Sequence, residues 1–145
     1  MTRSSLRLGL AAAAAVLTLG LTPAIGSAAP DATPAAQADS RLPVGYHVIS
    51  PEEAHTLIKQ GGVQILDVRT PEEFASGHIA DAVNIPYDAI RPGMRLMGAS
   101  DVDKPLLIYC RTGRRAHAVG PMLAETYRYV YNFTGVTQWP YELVR

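Results

Sequence analysis

Position 110 holds the only cysteine in a chain of 145 residues, and arginines follow it at 111, 114 and 115. A single thiol cannot form an internal disulfide. Beside three cations it has the makings of a thiolate nucleophile acting on a small anion that the guanidiniums hold. The apolar run Pro105-Leu106-Leu107-Ile108-Tyr109 just before it reads as a buried strand. Ala116 to Thr126 reads as a helix with Ala118, Val119, Met122 and Leu123 on one face. Cys110-Arg111-Thr112-Gly113-Arg114-Arg115 is therefore expected to be a loop from the carboxyl end of a strand to the N-terminus of a helix. Such a loop turns several unpaired N–H groups toward one point and makes an anion site. Gly113 permits the backbone angles that the turn requires, and the same donors would stabilise a thiolate at its first residue. A buried inert cysteine beside a solvated arginine cluster is the competing interpretation. Strand end, glycine and three arginines in one stretch favour a functional thiol.

The remaining elements must position that loop. Ser50-Pro51-Glu52-Glu53 carries an N-cap, a proline for the first helical position and a capping-box glutamate. Ala54, Leu57 and Ile58 give that helix its apolar face, and Gly61-Gly62 ends it. The same start recurs at Thr70-Pro71-Glu72-Glu73, opening a shorter helix that stops at Gly77. Val63 to Val68 is an apolar run suited to a buried strand. Ala82 to Ile85 is a short strand closed by Pro86, Tyr129 to Phe133 the last strand, and His47 to Ile49 a short extended segment at the start. Strands alternating with helices imply an α/β domain with a central, mostly parallel sheet covered on both faces. Ligands of such folds bind outside the carboxyl ends of the strands, where Cys110 is expected to lie.

Three stretches, LDVRTPEEFASGHIADAVNIPYDAI (66–90), LLIYCRTGRRA (106–116) and VYNFTGVTQW (130–139), carry a family likeness. The sequence resembles the single-domain rhodanese-like sulfurtransferases, most of all the small exported ones of the phage-shock type. The resemblance implies a rhodanese-like domain with a five-stranded sheet and no cofactor. It implies a ping-pong reaction in which Cys110 takes the outer sulfur of a donor such as thiosulfate as a persulfide and passes it to cyanide or a thiol. Arg115 would then orient the donor's sulfonate or the departing sulfite, while Arg111 and Arg114 project outward and attract anions. Thr112 and Gly113 complete the substrate-binding loop. Asp67 and Arg69 fall in the family's D-x-R pattern, as a support for the loop or as an ion pair serving geometry. His78, in SGHI, is expected to be structural. Thr134-Gly135 stands where the family usually has Gly-Gly, so one backbone angle is expected to differ there. Trp139 is expected to pack or to form a rim, and Met94 and Met97 to fill gaps.

Charge and histidine spacing narrow the function further. Acidic and basic residues number 13 each, which argues against a nucleic-acid binder. His47, His55 and His117 show no metal spacing, so no metal is expected. A cysteine phosphatase or arsenate reductase needs one more residue between cysteine and arginine, a position where this chain has Ala116. A non-catalytic carrier of sulfane sulfur is the other alternative, and the intact Cys110 and Gly113 argue against an inactive domain.

Arg3 and Arg7 precede an uncharged Ala/Leu-rich run from Leu8 to Leu21, and small residues follow at Gly26 to Ala29. This is the layout of a secretory signal peptide, and the run is too short for the roughly 20 residues of a membrane-spanning helix. The expected organisation is a signal peptide over 1–28, a flexible linker over 29–42 and a rhodanese-like domain over 43–145. Ala38 is a second possible cut site. That expectation implies an exported, periplasmic or secreted protein without a stable membrane anchor after cleavage; a monomer is expected.

Overall fold

The computed structural model describes residues 42–145; the expected signal peptide and nearly all of the expected linker lie outside the described residues. Five strands form one sheet in the order β1-β5-β4-β2-β3, and every pairing is parallel. They are β1 (Gly45–Val48), β2 (Gln64–Asp67), β3 (Ala82–Asn84), β4 (Leu106–Cys110) and β5 (Tyr129–Gly135). Three α-helices connect them: α1 (Pro51–Gln60), α2 (Pro71–Ser76) and α3 (Arg114–Leu123). Short 3-10 turns cover Tyr87–Ala89 and Val136–Gln138.

Local chemistry explains where the first two helices begin. Ser50 caps α1 and Thr70 caps α2, each closing a reciprocal capping box with the glutamate three residues on. Pro51 and Pro71 stand at the first helical positions, where no N–H is missed.

Side chains alternate across the sheet along β4. Leu106, Ile108 and Cys110 face one apolar cluster, which also holds Leu66 and Val68, Ala116, Val119 and Leu123 of α3, and Ile90, Leu96 and Ala99 from the long connection to β4. Leu107 and Tyr109 face a second cluster with Ala54 of α1, Tyr131, Phe133 and Trp139. The sheet is therefore covered on both faces, and β4 is buried along its whole length. Trp139 belongs to the second cluster, packed between Phe133, His55 and Tyr141.

The expected face of α3 is corrected by the structure. Its buried residues are Ala116, Val119, Gly120 and Leu123, whereas Ala118 is exposed and Met122 only half-buried. Helix and sheet meet closely at Gly120, where an added Cβ would lie 2.1 Å from the Tyr46 ring. That approach sets the rotation of the helix and turns Ala118 outward. The helix spans 114–123 rather than 116–126, and β5 runs on to Gly135. Met94 packs against the first cluster, but Met97 is 85% exposed and fills no gap.

Candidate active site

Cys110 is the last residue of β4 rather than the first of the loop, and only 1% of it is exposed. The chain then turns through Arg111 and Thr112 to Gly113, which takes the left-handed conformation at φ 91° as the N-cap of α3. This brings the Gly113 N–H back to Cys110, where it donates to Sγ at 3.1 Å. Among the described residues it is the one N–H bonded to the sulfur, in place of the ring of donors that the loop pattern suggests.

The loop is braced from β5. Ile108 pairs with Asn132 and Cys110 with Gly135, so β5 carries one extra residue between these pairs, a β-bulge beside the cysteine. Thr134, inside the bulge, has φ 76°. A threonine thus adopts the left-handed angle usually left to glycine, at a steric cost. Gly135 is extended, and a Cβ there would lie 2.4 Å from the carbonyl carbon and oxygen of Arg111. Only a residue without a side chain lets β5 pass this close beneath the loop. Arg111 O accepts hydrogen bonds from the N–H and hydroxyl of Thr137, at 3.2 and 2.8 Å. The buried Asn132 side chain accepts from the Thr134 N–H at 3.0 Å and donates to Gly113 O at 3.4 Å and to the Tyr46 hydroxyl at 3.1 Å.

Asp67 and Arg69 form a buried ion pair, with Arg69 Nη2 2.6 Å from Asp67 Oδ2. Arg69 also donates to Gly77 O at 2.7 Å, and Asn84 donates to the carbonyls of both Asp67 and Arg69. The pair thus ties the ends of β2 and β3 to the end of α2. It makes no hydrogen bond to residues 110–115, so any support it lends the loop is indirect. Beside the pair, burial and then the Asp67 charge push the Tyr109 phenol well above its ordinary value. Its neutral hydroxyl accepts the Ile79 N–H at 3.1 Å. His78 bonds Phe74 O through Nδ1 at 3.0 Å, stacks on the Phe74 ring, and its backbone exchanges two hydrogen bonds with Val144. It is a structural residue.

The three arginines separate into two kinds. Arg115 donates to both oxygens of Glu73, at 2.7 and 2.8 Å. This bidentate pair holds the Glu73 carboxyl down at about 2, through the Arg115 hydrogen bonds first and against partial burial. Arg115 is pushed upward in turn, chiefly by Glu73 and to a lesser extent by the neighbouring Cys110. Arg111 and Arg114 are exposed and have no carboxylate partner among the described residues. They line a cleft of about 470 Å³ together with Tyr87, Thr112 and Arg115. A second cleft of about 380 Å³ lies on the other side of Arg111, against Arg69, Glu73, Val136 and Leu143. Cys110 lines neither cleft. The cysteine is nearly closed to solvent. Arg111 and Arg114 are the free charges that would meet an anion first.

The model of the rhodanese-like domain matches residues 50–139, which is most of the described part. The chain belongs to the rhodanese-like family. It is 34% identical over 103 residues to thiosulfate sulfurtransferase GlpE of Pseudomonas syringae pv. syringae (strain B728a), covering 67% of this chain and 93% of that protein. The rhodanese-related protein of Thermoplasma volcanium superposes with a TM-score of 0.56 at 29% identity, over 68% of this chain and 98% of its own. The human single-domain sulfurtransferase TSTD1 does so with a TM-score of 0.52 at 26% identity, over 63% and 93%. The protein is thus a rhodanese-like relative of the thiosulfate sulfurtransferases.

Sequence reasoning missed four residues that shape this rhodanese-like site: Glu73, Asn132, Thr137 and Tyr87. Glu73 was legible only as a capping-box residue, and its Oε2 does accept the Thr70 N–H at 3.2 Å. Asn132 is a lone buried amide within an apolar strand, a signal that something beside it needs hydrogen bonds. Thr137 and Tyr87 carried no such signal.

Proposed function

We propose that the protein is a sulfurtransferase that moves sulfane sulfur from a thiosulfate-type donor to cyanide or a thiol through a persulfide on Cys110. The observation that carries this reading is the Cys110–Gly113 turn: a sulfur at a strand end, bonded by a loop N–H at 3.1 Å, in a loop whose Arg111 and Arg114 have no carboxylate partner among the described residues. In the first step the Cys110 thiolate attacks the outer sulfur of thiosulfate. The donor's S–S bond breaks, and sulfite departs with the bonding pair. In the second, cyanide attacks the outer sulfur of the persulfide, thiocyanate leaves and the thiolate is regenerated. The sulfur transferred is small, and the persulfide is an anion whose charge the Gly113 N–H and the N-terminus of α3 favour. Membership of the rhodanese-like family and the similarity to GlpE support the same reading.

Arg111 and Arg114 take the role of holding the donor's oxyanion, because Arg115 is already engaged by Glu73. Arg115 pairs with Glu73 and braces α3 against α2. We further propose that the chain is exported and acts in the periplasm or outside the cell, on the strength of its N-terminal pattern.

The test is the intact mass of the purified protein before and after thiosulfate, alongside Cys110→Ser. The expected result is a gain of about 32 Da, one sulfur atom covalently held on the nucleophile, which cyanide removes and the variant never shows. No gain in a protein whose thiol still reacts with an alkylating agent overturns the proposal. The mass of the protein recovered from the exporting cell also reads the cut site, after Ala28 or after Ala38.

A further inference from the structure

The cleft above the loop has one wall that the chemistry of Cys110 and the arginines leaves unused. Six large hydrophobic side chains are exposed in the described part, and Tyr87 is the one among them that lines this cleft. The residue is 45% exposed, yet its backbone is held. It follows Pro86, opens a 3-10 turn, and its N–H donates to Val68 O at 3.1 Å, at the end of β2. An exposed aromatic residue on a held backbone thus shares this cleft with Arg111, Thr112, Arg114 and Arg115. The cleft volume of about 470 Å³ falls within the roughly 300–1,000 Å³ of sites for organic ligands. An inorganic anion of a few atoms leaves most of it to solvent. Two free guanidiniums suit an oxyanion, and a phenol ring suits an apolar or aromatic substituent on that oxyanion.

We propose that Tyr87 is a specificity-determining residue that favours organic thiosulfonates, whose sulfane sulfur sits on a sulfonyl group bearing carbon, over inorganic thiosulfate. The proposal rests on the sulfur-transfer reading above. The reaction keeps the same balance: the Cys110 thiolate attacks the outer sulfur of R–SO2–S⁻. The sulfur–sulfur bond breaks and the sulfinate R–SO2⁻ leaves with the electron pair. The sulfonyl oxygens occupy the arginine side of the cleft, and the R group lies on the Tyr87 ring.

The experiment follows persulfide loading of Cys110 by intact mass over time, with benzenethiosulfonate and with thiosulfate. It compares the wild type, Tyr87→Ala, Tyr87→Phe and, as a control, Met97→Ala at an exposed position that does not line the cleft. The quantity read is the ratio of the two second-order loading rates, so that intrinsic differences between the leaving groups cancel across variants. Tyr87→Ala is expected to lower the ratio of benzenethiosulfonate to thiosulfate by about tenfold, which corresponds to about 1.4 kcal/mol. Tyr87→Phe and Met97→Ala should stay within about twofold of the wild type. Tyr87→Gln, which loses the ring and keeps a side chain of some length, repeats the comparison should the alanine variant not fold. A ratio unmoved by loss of the ring, or moved as far by Tyr87→Phe as by Tyr87→Ala, overturns the proposal while thiosulfate loading leaves the sulfurtransferase reading intact. Failure of both donors to load an alkylatable Cys110 overturns both.

Discussion

Thr134 holds a backbone angle that glycine takes without strain, and the structure converts that strain into a stability prediction. Its φ of 76° puts a β-branched side chain in the left-handed region, which costs an ordinary L-residue about 1–2 kcal/mol. Thr134→Gly removes this strain. It also adds back about 0.5–1 kcal/mol of chain entropy in the unfolded state and deletes a local hydrogen bond from the threonine hydroxyl to Phe133 O. The close contacts between residue 134 and the loop are unaffected, because a Cβ on Gly113 would meet backbone atoms of Thr134. The net expectation is a gain of about 0.5–1 kcal/mol. At about 4–8 °C per kcal/mol for a domain of this size, the midpoint rises by about 2–8 °C. Calorimetry on the wild type, Thr134→Gly and Thr134→Ala measures it, with persulfide loading as a check that the loop is unmoved. Thr134→Ala keeps a Cβ at positive φ and should gain less than the glycine variant. A lower midpoint for Thr134→Gly, or equal gains from glycine and alanine, refutes the strain argument.

Three further outcomes follow from the same geometry. Gly135→Ala builds a Cβ 2.4 Å from Arg111 backbone; denaturant unfolding should show a loss of at least about 2 kcal/mol, and persulfide loading should slow because the loop must shift. Glu73→Gln breaks the partly exposed pair with Arg115, for a loss of about 0.5–1 kcal/mol at pH 7. Because the Glu73 carboxyl is depressed to about 2 from an ordinary value of about 4.3, the pair's contribution is whole above that ordinary value and fades as the pH falls toward about 2. The stability gap between wild type and Glu73→Gln should close across that window, and a gap that is constant with pH counts against the pair. Asn132→Ala strands the Thr134 N–H in a half-buried site and removes the bond to Gly113 O. A loss of about 1–3 kcal/mol in denaturant unfolding is expected, and an unchanged midpoint would show that water replaces the amide.

What the sequence made legible was local or repeated. The Ser50 and Thr70 capping boxes close over three residues, so sequence spacing alone locates both helix starts. The apolar run Leu106–Tyr109 reads as a buried strand, the apolar spacing after Cys110 reads as a helix, and Gly113 makes the left-handed turn between them. Long-range pairings left no such mark. Glu73 and Arg115 are 42 residues apart, and nothing near either one announces the other. The tilt of α3 depends on Gly120, whose signal is the absence of a side chain; a pattern drawn from hydrophobic residues alone puts Ala118 inward. The strand limits erred by a residue or two for a related reason: Cys110 continues the ladder because Gly135 pairs with it, and that pairing is set by a bulge in another strand.

That bulge shows how the site is built. The D-x-R pair, which the sequence leaves either as a support for the loop or as an ion pair serving geometry, sends its bonds to the end of α2 and to β3. The loop's direct braces come from β5 and the turn after it. One extra residue in β5 moves Gly135 under Arg111, brings Thr137 to the Arg111 carbonyl and leaves the Asn132 amide between Thr134 and Gly113. Bulges re-aim backbone at the edges of functional sites, and here the re-aimed backbone holds the turn whose N–H reaches the sulfur. The strain at Thr134 and the steric demand at Gly135 are then two local costs of one arrangement. Relieving the first should stabilise the domain without moving the thiol, whereas violating the second should move the thiol. Position of the nucleophile and stability of the fold are in this way separable within two adjacent residues.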